Sequence, residues 1–458
     1  MYEINYEKPE RVHFIGIGGI SMSGLAEILH KAGFVVSGSD TYLTRITKRL
    51  EDLGIKVYEG HSAENITEDI DFVVYSAAIH GDNAEYQKAE ELGIPLLVRA
   101  DLLGQIMKNY KTAIGVSGTH GKTTTTGMIS ELLIDGNLDP TISIGGILPS
   151  IGGNIRVGHS DAFVVEACEY TDSFLSFHPT IGVILNIELD HIDFFEDLDD
   201  IAQSFHEYAQ LIPDWGTLII NRDANKFDKV VEGLPCSIIT YSDQGSEADY
   251  TSDNVTINKR GCASFDAYEH GTFIGRFSLS APGVHHVGNA LASIACARLL
   301  DIDIETIKKS LANYSGAKRR FEYHGEVNGA TVVDDFAHHP DEIEATLKVA
   351  KNLDNKEIWA VFQPYTYTRT KALMKEFAEV LSMADHTILA EIYPARETDD
   401  LGISSDDLCK MMKDMGCDVV TKPSFEAIEE EVKARVKPGD LVLTMGCGNI
   451  YIVAEALV

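Results

Sequence analysis

Gly115-Val116-Ser117-Gly118-Thr119-His120-Gly121-Lys122-Thr123-Thr124 follows two apolar residues, Ala113 and Ile114, and opens a helix-like segment that reaches Leu132 and Leu133. A strand, a glycine-rich turn and a helix start together form a cradle for phosphate. Backbone N–H groups point inward, and the helix dipole adds partial positive charge. In the pattern G-x-x-x-x-G-K-[ST] the lysine reaches the β- and γ-phosphates and the next hydroxyl sits on magnesium. Here those residues are Lys122 and Thr123. The first glycine of the pattern falls on Val116, with glycines at 115 and 118 instead. The stretch predicts a nucleotide triphosphate site built from Gly118, Thr119, His120, Gly121, Lys122, Thr123 and Thr124 in a parallel α/β sheet.

Upstream, residues 12–15 read as a buried strand followed by Gly16-Ile17-Gly18-Gly19-Ile20-Ser21 and a helical pattern through Leu25, Ile28 and Leu29. A second strand over 34–38 ends at Ser39-Asp40. This nearly matches the dinucleotide fingerprint G-x-G-x-x-G with an acid about 20 residues later. Ser21 replaces the third glycine. A diphosphate can sit on such a helix start, and Asp40 can hold a ribose hydroxyl. Further strands are predicted at 56–58, 72–75 and 96–98, with Gly54 and Gly93 stopping the intervening helices. Ser76 lies just past a strand end, where ligands collect in such sheets. Alternating strands and helices mean a parallel sheet.

Downstream, a strand over 162–165 ends in Glu166, and another over 181–185 ends in Asn186-Ile187-Glu188-Leu189-Asp190-His191. A carboxylate at a buried strand end is costly unless paired or bound to a cation. Glu166 as a magnesium ligand removes that cost. By residue type alone His191 reads as a hydrogen-bonding loop residue, since magnesium prefers oxygen. Strands follow at 217–220 and 237–241. Residues 249–280 alternate in character, with turns at Lys259-Arg260-Gly261 and His270-Gly271, which predicts an antiparallel ribbon. Pro282-Gly283-Val284-His285-His286-Val287-Gly288-Asn289 precedes a small-residue helix. Asn289 is either a helix cap or an adenine contact.

A boundary near Ser315-Gly316 precedes the basic run Lys318-Arg319-Arg320, either a solvated turn or a clamp on phosphate. Four strand–loop–helix repeats then carry polar residues past their strands: Asp334-Asp335-Phe336-Ala337-His338-His339-Pro340 after 331–333, and Gln363 to Thr370 after 358–362. The others are Glu391 to Glu397 after 387–390 and Met445 to Asn449 after 441–444. The expected organisation is three α/β domains: a Rossmann-like domain over 1–108, a phosphate-loop domain with a small ribbon over 109–315, and a second Rossmann-like domain over 316–458, able to close over the one before it.

A length of 458 residues suits about three domains. The net charge of −33 argues against a nucleic-acid partner, because a phosphate backbone is repelled overall. The seven cysteines include no C-x-x-C pair, which fits a reduced cytoplasm. Residues 1–11 are polar and acidic, unlike a signal peptide. No apolar run approaches the ~18 residues of a membrane span.

Gly118 to Thr124, Glu166, residues 186–193, residues 283–289, Arg319-Arg320-Phe321-Glu322 and residues 334–340 occur in an order that resembles the Mur ligases, over nearly the whole chain. Within that family, Gly16-Ile17-Gly18-Gly19-Ile20-Ser21-Met22-Ser23-Gly24 and Asp334-Asp335 with His338-His339-Pro340 are similar to the alanine-adding members. The resemblance implies an amide ligase using ATP and magnesium. The lactyl carboxylate of UDP-N-acetylmuramate attacks the γ-phosphate, and the amine of L-alanine then displaces phosphate from the acyl phosphate. It further implies metal ligation by Thr123, Glu166 and His191, and UDP binding by Gly18, Gly19, Ser21, Ser39, Asp40 and Ser76. Asn289 and Arg320 would hold ATP from opposite sides of the cleft. Asp335, His338 and Arg369 would serve alanine or its reaction.

Three departures stand out. His286 replaces a frequent asparagine. Tyr365-Thr366 replace a frequent His-Arg, which leaves alanine's carboxylate to Arg369 or Arg396. No lysine lies between His191 and Asn225, unlike the sisters that carry a carbamylated metal-binding lysine. Other readings are a sister that joins a peptide to the same nucleotide, a nicotinamide oxidoreductase on the first domain, and a nucleotide-gated binder. The oxidoreductase leaves the phosphate loop unexplained, and a pure binder has no need of Lys122, Thr123 and Glu166 together.

Overall fold

A computed structural model describes residues 2–458 except 77, 78, 192, 193 and 396. The first sheet contains β1 (Arg11–Ile15), β2 (Val35–Asp40), β3 (Lys56–Glu59), β4 (Phe72–Tyr75) and β5 (Leu96–Val98). All pairs are parallel, in the order β3-β2-β1-β4-β5. Parallel strands covered on both faces need near-continuous apolar runs, and Val12, Phe14, Ile15, Phe72, Val73 and Val74 are buried. The order reverses between β1 and β4. The Gly16–Gly19 turn therefore opens at the crevice where α/β sheets bind ligands.

The second sheet contains β6 (Thr112–Ser117), β7 (Thr141–Leu148), β8 (Gly153–Arg156), β9 (Ala162–Glu166), β10 (Ile181–Ile184), β11 (Thr217–Asn221), β12 (Ser237–Ser242), β13 (Tyr250–Ile257), β14 (Cys262–Glu269) and β15 (Thr272–Pro282). Their order is β15-β14-β13-β12-β11-β10-β6-β9-β7-β8. β6 lies between β10 and β9, parallel to both. The ends of these three strands carry the phosphate loop, Asn186 and Glu166 to one edge.

The ribbon continues the main sheet, since β13 pairs with β12 in parallel. β7 and β8 were not expected, because Gly145-Gly146 interrupts the apolar run. The parallel pairing of β7 with β9 makes that segment a strand.

The first two sheets share one core, in which Leu102, Leu103, Ile106 and Met107 join Phe174, Phe177 and Phe205. Gly24 allows the helix Ile20–Lys31 to approach β8, since a Cβ there would lie 2.1 Å from Ile155 Cδ1. Residues 1–254, 265–277 and 287–314 form one compact unit. Residues 255–264, 278–286 and 315–458 form another.

The third sheet lies in the second unit. It contains β16 (Glu322–Val327), β17 (Ala330–Asp335), β18 (Ile358–Phe362), β19 (His386–Leu389), β20 (Asp418–Thr421) and β21 (Leu441–Met445), ordered β16-β17-β21-β18-β19-β20. Only β16 runs antiparallel to its neighbour. β16 and β20 are edge strands of mixed polarity, which the apolar pattern does not reveal. β17 extends through Asp334 and Asp335, so both carboxylates are strand residues rather than loop residues. Among the described residues no helix is long and apolar enough to cross a membrane.

Candidate active site

Gly118 and Gly121 have φ of +141° and +83°, a region that side chains strongly disfavour. The loop is pinned from the end of β10. Asn186 Oδ1 accepts from the His120 N–H at 2.7 Å and its Nδ2 donates to the His120 carbonyl at 3.0 Å. The Thr119 hydroxyl accepts from the Glu188 N–H at 2.9 Å. Protein hydrogen bonds thus fix the loop's shape, and the helix Lys122–Asp135 starts at Lys122 with no side-chain cap on its N–H groups. Those free donors suit an anion. Thr123 and Thr124 occupy the first turn, both buried. A hydrogen bond donated to Glu188 holds the His120 pKa above the usual histidine range.

Lys122 folds back over the loop. Its Nζ donates to the carbonyls of Gly118 at 2.7 Å and Thr119 at 3.0 Å, and lies 2.9 and 3.0 Å from the two oxygens of Glu169. Burial alone would lower the lysine pKa, but the Glu169 charge outweighs it and raises it. His191 Nε2 lies 3.8 Å from the same carboxylate. Its ring packs on Tyr170 at 4.5 Å between centroids. His191, Thr171 and Asp172 all have φ near +53°. Non-glycine residues in this region carry backbone strain of the kind found at functional sites.

Glu166 ends β9 and is in register with Val116, the penultimate residue of β6. Its Oε2 accepts from the Gly145 N–H at 2.8 Å. Arg99, first residue of the helix Arg99–Met107, is within electrostatic reach of Glu166. Burial lowers its pKa, while Cys168 and Glu166 oppose that. Among the described residues no three His, Cys, Asp or Glu converge as a metal cage. Magnesium takes one or two protein oxygens and fills its shell with phosphate and water. The Thr123 hydroxyl and Glu166 carboxylate are hard donors of that kind. The His191 nitrogen is the least suited of the three. Asn289 lies in the fourth position of the helix His286–Leu299, not at its cap. Its amide oxygen would lie 2.8 Å from a Cβ on Gly121, so it abuts the phosphate loop.

In the first sheet, Asp40 Oδ2 accepts from the Gly18 N–H at 2.8 Å, so the acid shapes the glycine turn. Gly19 precedes the helix Ile20–Lys31 without a side-chain cap, and Ser21 is half-buried in its first turn. Ser76 Oγ would lie 3.6 Å from a Cβ on Gly16. Ser39 is placed differently. It is fully buried, and its hydroxyl donates to Glu85 inside a cluster with His13, His61 and Asn65.

In the second unit the basic run divides. Arg319 is tied to Asp334 at 2.9 Å and to the carbonyls of Gly446 and Gly448, whereas Lys318 and Arg320 are exposed. Asp335 is buried and accepts from the Phe321 and Ala337 N–H groups, both at 2.8 Å. Burial raises its pKa, and the Arg320 charge and these hydrogen bonds oppose the rise. His338 lies 3.0 Å from Glu342 and edge-on to Tyr365. The guanidinium of Arg369 lies 5.8 Å from the Tyr365 ring centroid. Its Nη1 is buried with no hydrogen-bond partner among the described residues, which fits a ligand anion. Arg396 and Asp193 lie outside the described residues.

Comparison with known proteins places the fold in a family. The profile of the Mur ligase family, catalytic domain, matches residues 11–111. The Mur ligase middle domain matches 116–297, and the Mur ligase, glutamate ligase domain matches 319–448. The chain belongs to the Mur ligase family. It is 51% identical to UDP-N-acetylmuramate–L-alanine ligase of Lachnospira eligens, covering 100% of both chains. It is 52% identical to the enzyme of the same name from Agathobacter rectalis, covering 100% of this chain and 99% of that one. The crystal structure of UDP-N-acetylmuramate-alanine ligase from Thermotoga maritima superposes with a TM-score of 0.79 at 28% identity, covering 98% of each chain.

Within this Mur ligase, sequence reading overlooked Glu169 as the partner of Lys122, and Gly145 and Arg99 as neighbours of Glu166. For Glu169 a signal existed in Glu166-Ala167-Cys168-Glu169, a second acid three residues past the strand end. Gly145 and Arg99 reach the site only through β7 and the helix after β5, which no local pattern announces.

Proposed function

We propose that this chain is an ATP-dependent ligase that joins L-alanine to the lactyl carboxylate of UDP-N-acetylmuramate, giving UDP-N-acetylmuramoyl-L-alanine, ADP and phosphate in the cytoplasm. The observation that carries the reading is the phosphate loop, with Lys122 and Thr123 at its helix start and Glu166 in register beside it. The full-length identity to relatives of that name selects the substrates.

A carboxylate is a poor electrophile, so it must first gain a leaving group. The phosphate loop holds the triphosphate by its N–H groups and Lys122, which offsets repulsion between the two anions. Thr123, Glu166 and His191 would hold magnesium, which would supply further charge compensation to the phosphates. The Gly16–Gly19 turn, Ser21, Asp40 and Ser76 take the UDP moiety; Ser39 acts from behind through Glu85. Asn289 and Arg320 serve the nucleotide. The orphan donor of Arg369 takes the alanine carboxylate, with Arg396 assigned alongside it. His338 and Asp335 fix the loop after β17.

The test is phosphate release from ATP and magnesium with UDP-N-acetylmuramate and each amino acid in turn. Release that needs both the sugar nucleotide and L-alanine, with a new amide by mass, is the expected result. Release with no dependence on L-alanine overturns the reading.

A further inference from the structure

The lysine of the phosphate loop has no donor left for a phosphate. An ammonium carries three N–H groups, and the carbonyls of Gly118 and Thr119 with the carboxylate of Glu169 engage all of them. The two carbonyls belong to the loop itself. Glu169 is the one charged acceptor, and its side chain is 0% exposed, so it cannot turn into solvent. A phosphate oxygen that Lys122 contacts must come within a few ångströms of that carboxylate. In a water-poor pocket two such anions repel strongly.

Glu169 is also held from its other side. It starts the turn Tyr170–Ser176 as the preceding residue. Tyr170 packs on His191, and His191 Nε2 faces Glu169 Oε1 at 3.8 Å. The carboxylate therefore stands between the loop lysine and the histidine assigned to the metal.

We propose that Glu169 is a positioning residue that stores Lys122 in the phosphate loop, surrenders it to an arriving triphosphate, and makes nucleotide binding depend on a divalent cation. A triphosphate without a cation meets an unreleased buried anion. With a cation the same carboxylate faces a compensating charge. This rests on the phosphate-loop reading above.

The experiment measures ATP affinity by calorimetry on the full chain, in EDTA and in magnesium, for the wild type, Glu169→Gln, Glu169→Asp and Lys122→Ala. The Gln variant is expected to bind metal-free ATP at least tenfold tighter than the wild type. Its gain in affinity on adding magnesium shrinks by the same factor. At saturating magnesium and ATP its turnover falls at least tenfold with no rise in KM for ATP, and its melting temperature stays near that of the wild type. A structural role alone would raise KM and lower the melting temperature together. The Asp variant keeps the charge but withdraws it by one methylene. It follows the same trend at smaller size, and carries the test if the Gln variant does not fold. Metal-free binding that is equal or weaker in the variants overturns the proposal. Wild-type affinity retained in Lys122→Ala would instead overturn the phosphate-loop reading beneath it.

Discussion

Replacing Gly145 with alanine separates the position of Glu166 from the stability of the fold. Gly145 is exposed, and its φ is not in the left-handed region, so alanine adds no backbone strain. The three atoms nearest a new Cβ are all in the Glu166 carboxylate: Oε2 at 2.7 Å, Oε1 at 2.8 Å and Cδ at 2.9 Å. Carbon–oxygen contacts settle near ~3.3 Å, so the carboxylate must retreat by roughly 0.6 Å. The 2.8 Å hydrogen bond from the Gly145 N–H is lost with that movement, and water replaces it at an exposed position. The stability change should stay within about 1 kcal/mol, as for other surface substitutions. Catalysis is less tolerant, since a misplacement of about 1 Å can cost ~10²-fold in rate. Steady-state phosphate release should show kcat reduced roughly tenfold. The magnesium concentration for half-maximal rate should rise, while the melting temperature moves by only a few degrees. Unchanged kcat and unchanged metal dependence in a folded variant would refute the argument that Gly145 sets the working position of Glu166.

Lys122→Ala should lower turnover at least ~10²-fold, the scale of losing one charge-stabilising group; near-normal phosphate release would remove Lys122 from the chemistry. Asp40→Ala should raise KM for the UDP sugar far more than for ATP, because the Gly18 N–H loses its acceptor; the reverse ratio in initial-rate kinetics would place ATP in the first domain. Glu85 gives a pH prediction. Burial alone would raise its pKa, but hydrogen bonds from His13, Ser39 and Asn65 overcome that and draw it down to about 2. Its contribution to stability is therefore present above the unfolded carboxylate pKa of about 4.3 and is lost as pH falls toward 2, by up to about 3 kcal/mol. Denaturant unfolding between pH 5 and 3 should fall more steeply for the wild type than for Glu85→Gln, and parallel curves would contradict it. Gly24→Ala should destabilise the protein by about 1–3 kcal/mol through overpacking against Ile155, read as a lower midpoint in urea.

Local patterns found the elements whose reasons are local. The Gly54 and Gly93 stops, the strand before Gly118 and the helix after Gly121 follow from backbone preferences that one stretch of chain satisfies alone. The order of the motifs along the chain was enough to indicate a family. The second acid at Glu169 was visible but had no meaning without its partner, because Lys122 lies 47 residues away along the chain.

The sequence by itself determined the parallel α/β class, the place and shape of the phosphate loop, and the residue types that phosphoryl transfer needs. Tertiary structure alone decided which of those residues are free to act. It buried Ser39 against Glu85, turned Arg319 inward while leaving Arg320 exposed, and saturated Asp335 with backbone N–H groups. It also made Gly145 the support of Glu166 and Glu169 the holder of Lys122. A residue's chemistry is written in its side chain, but its partners and its exposure to water arise from pairings between distant segments, which no local pattern encodes.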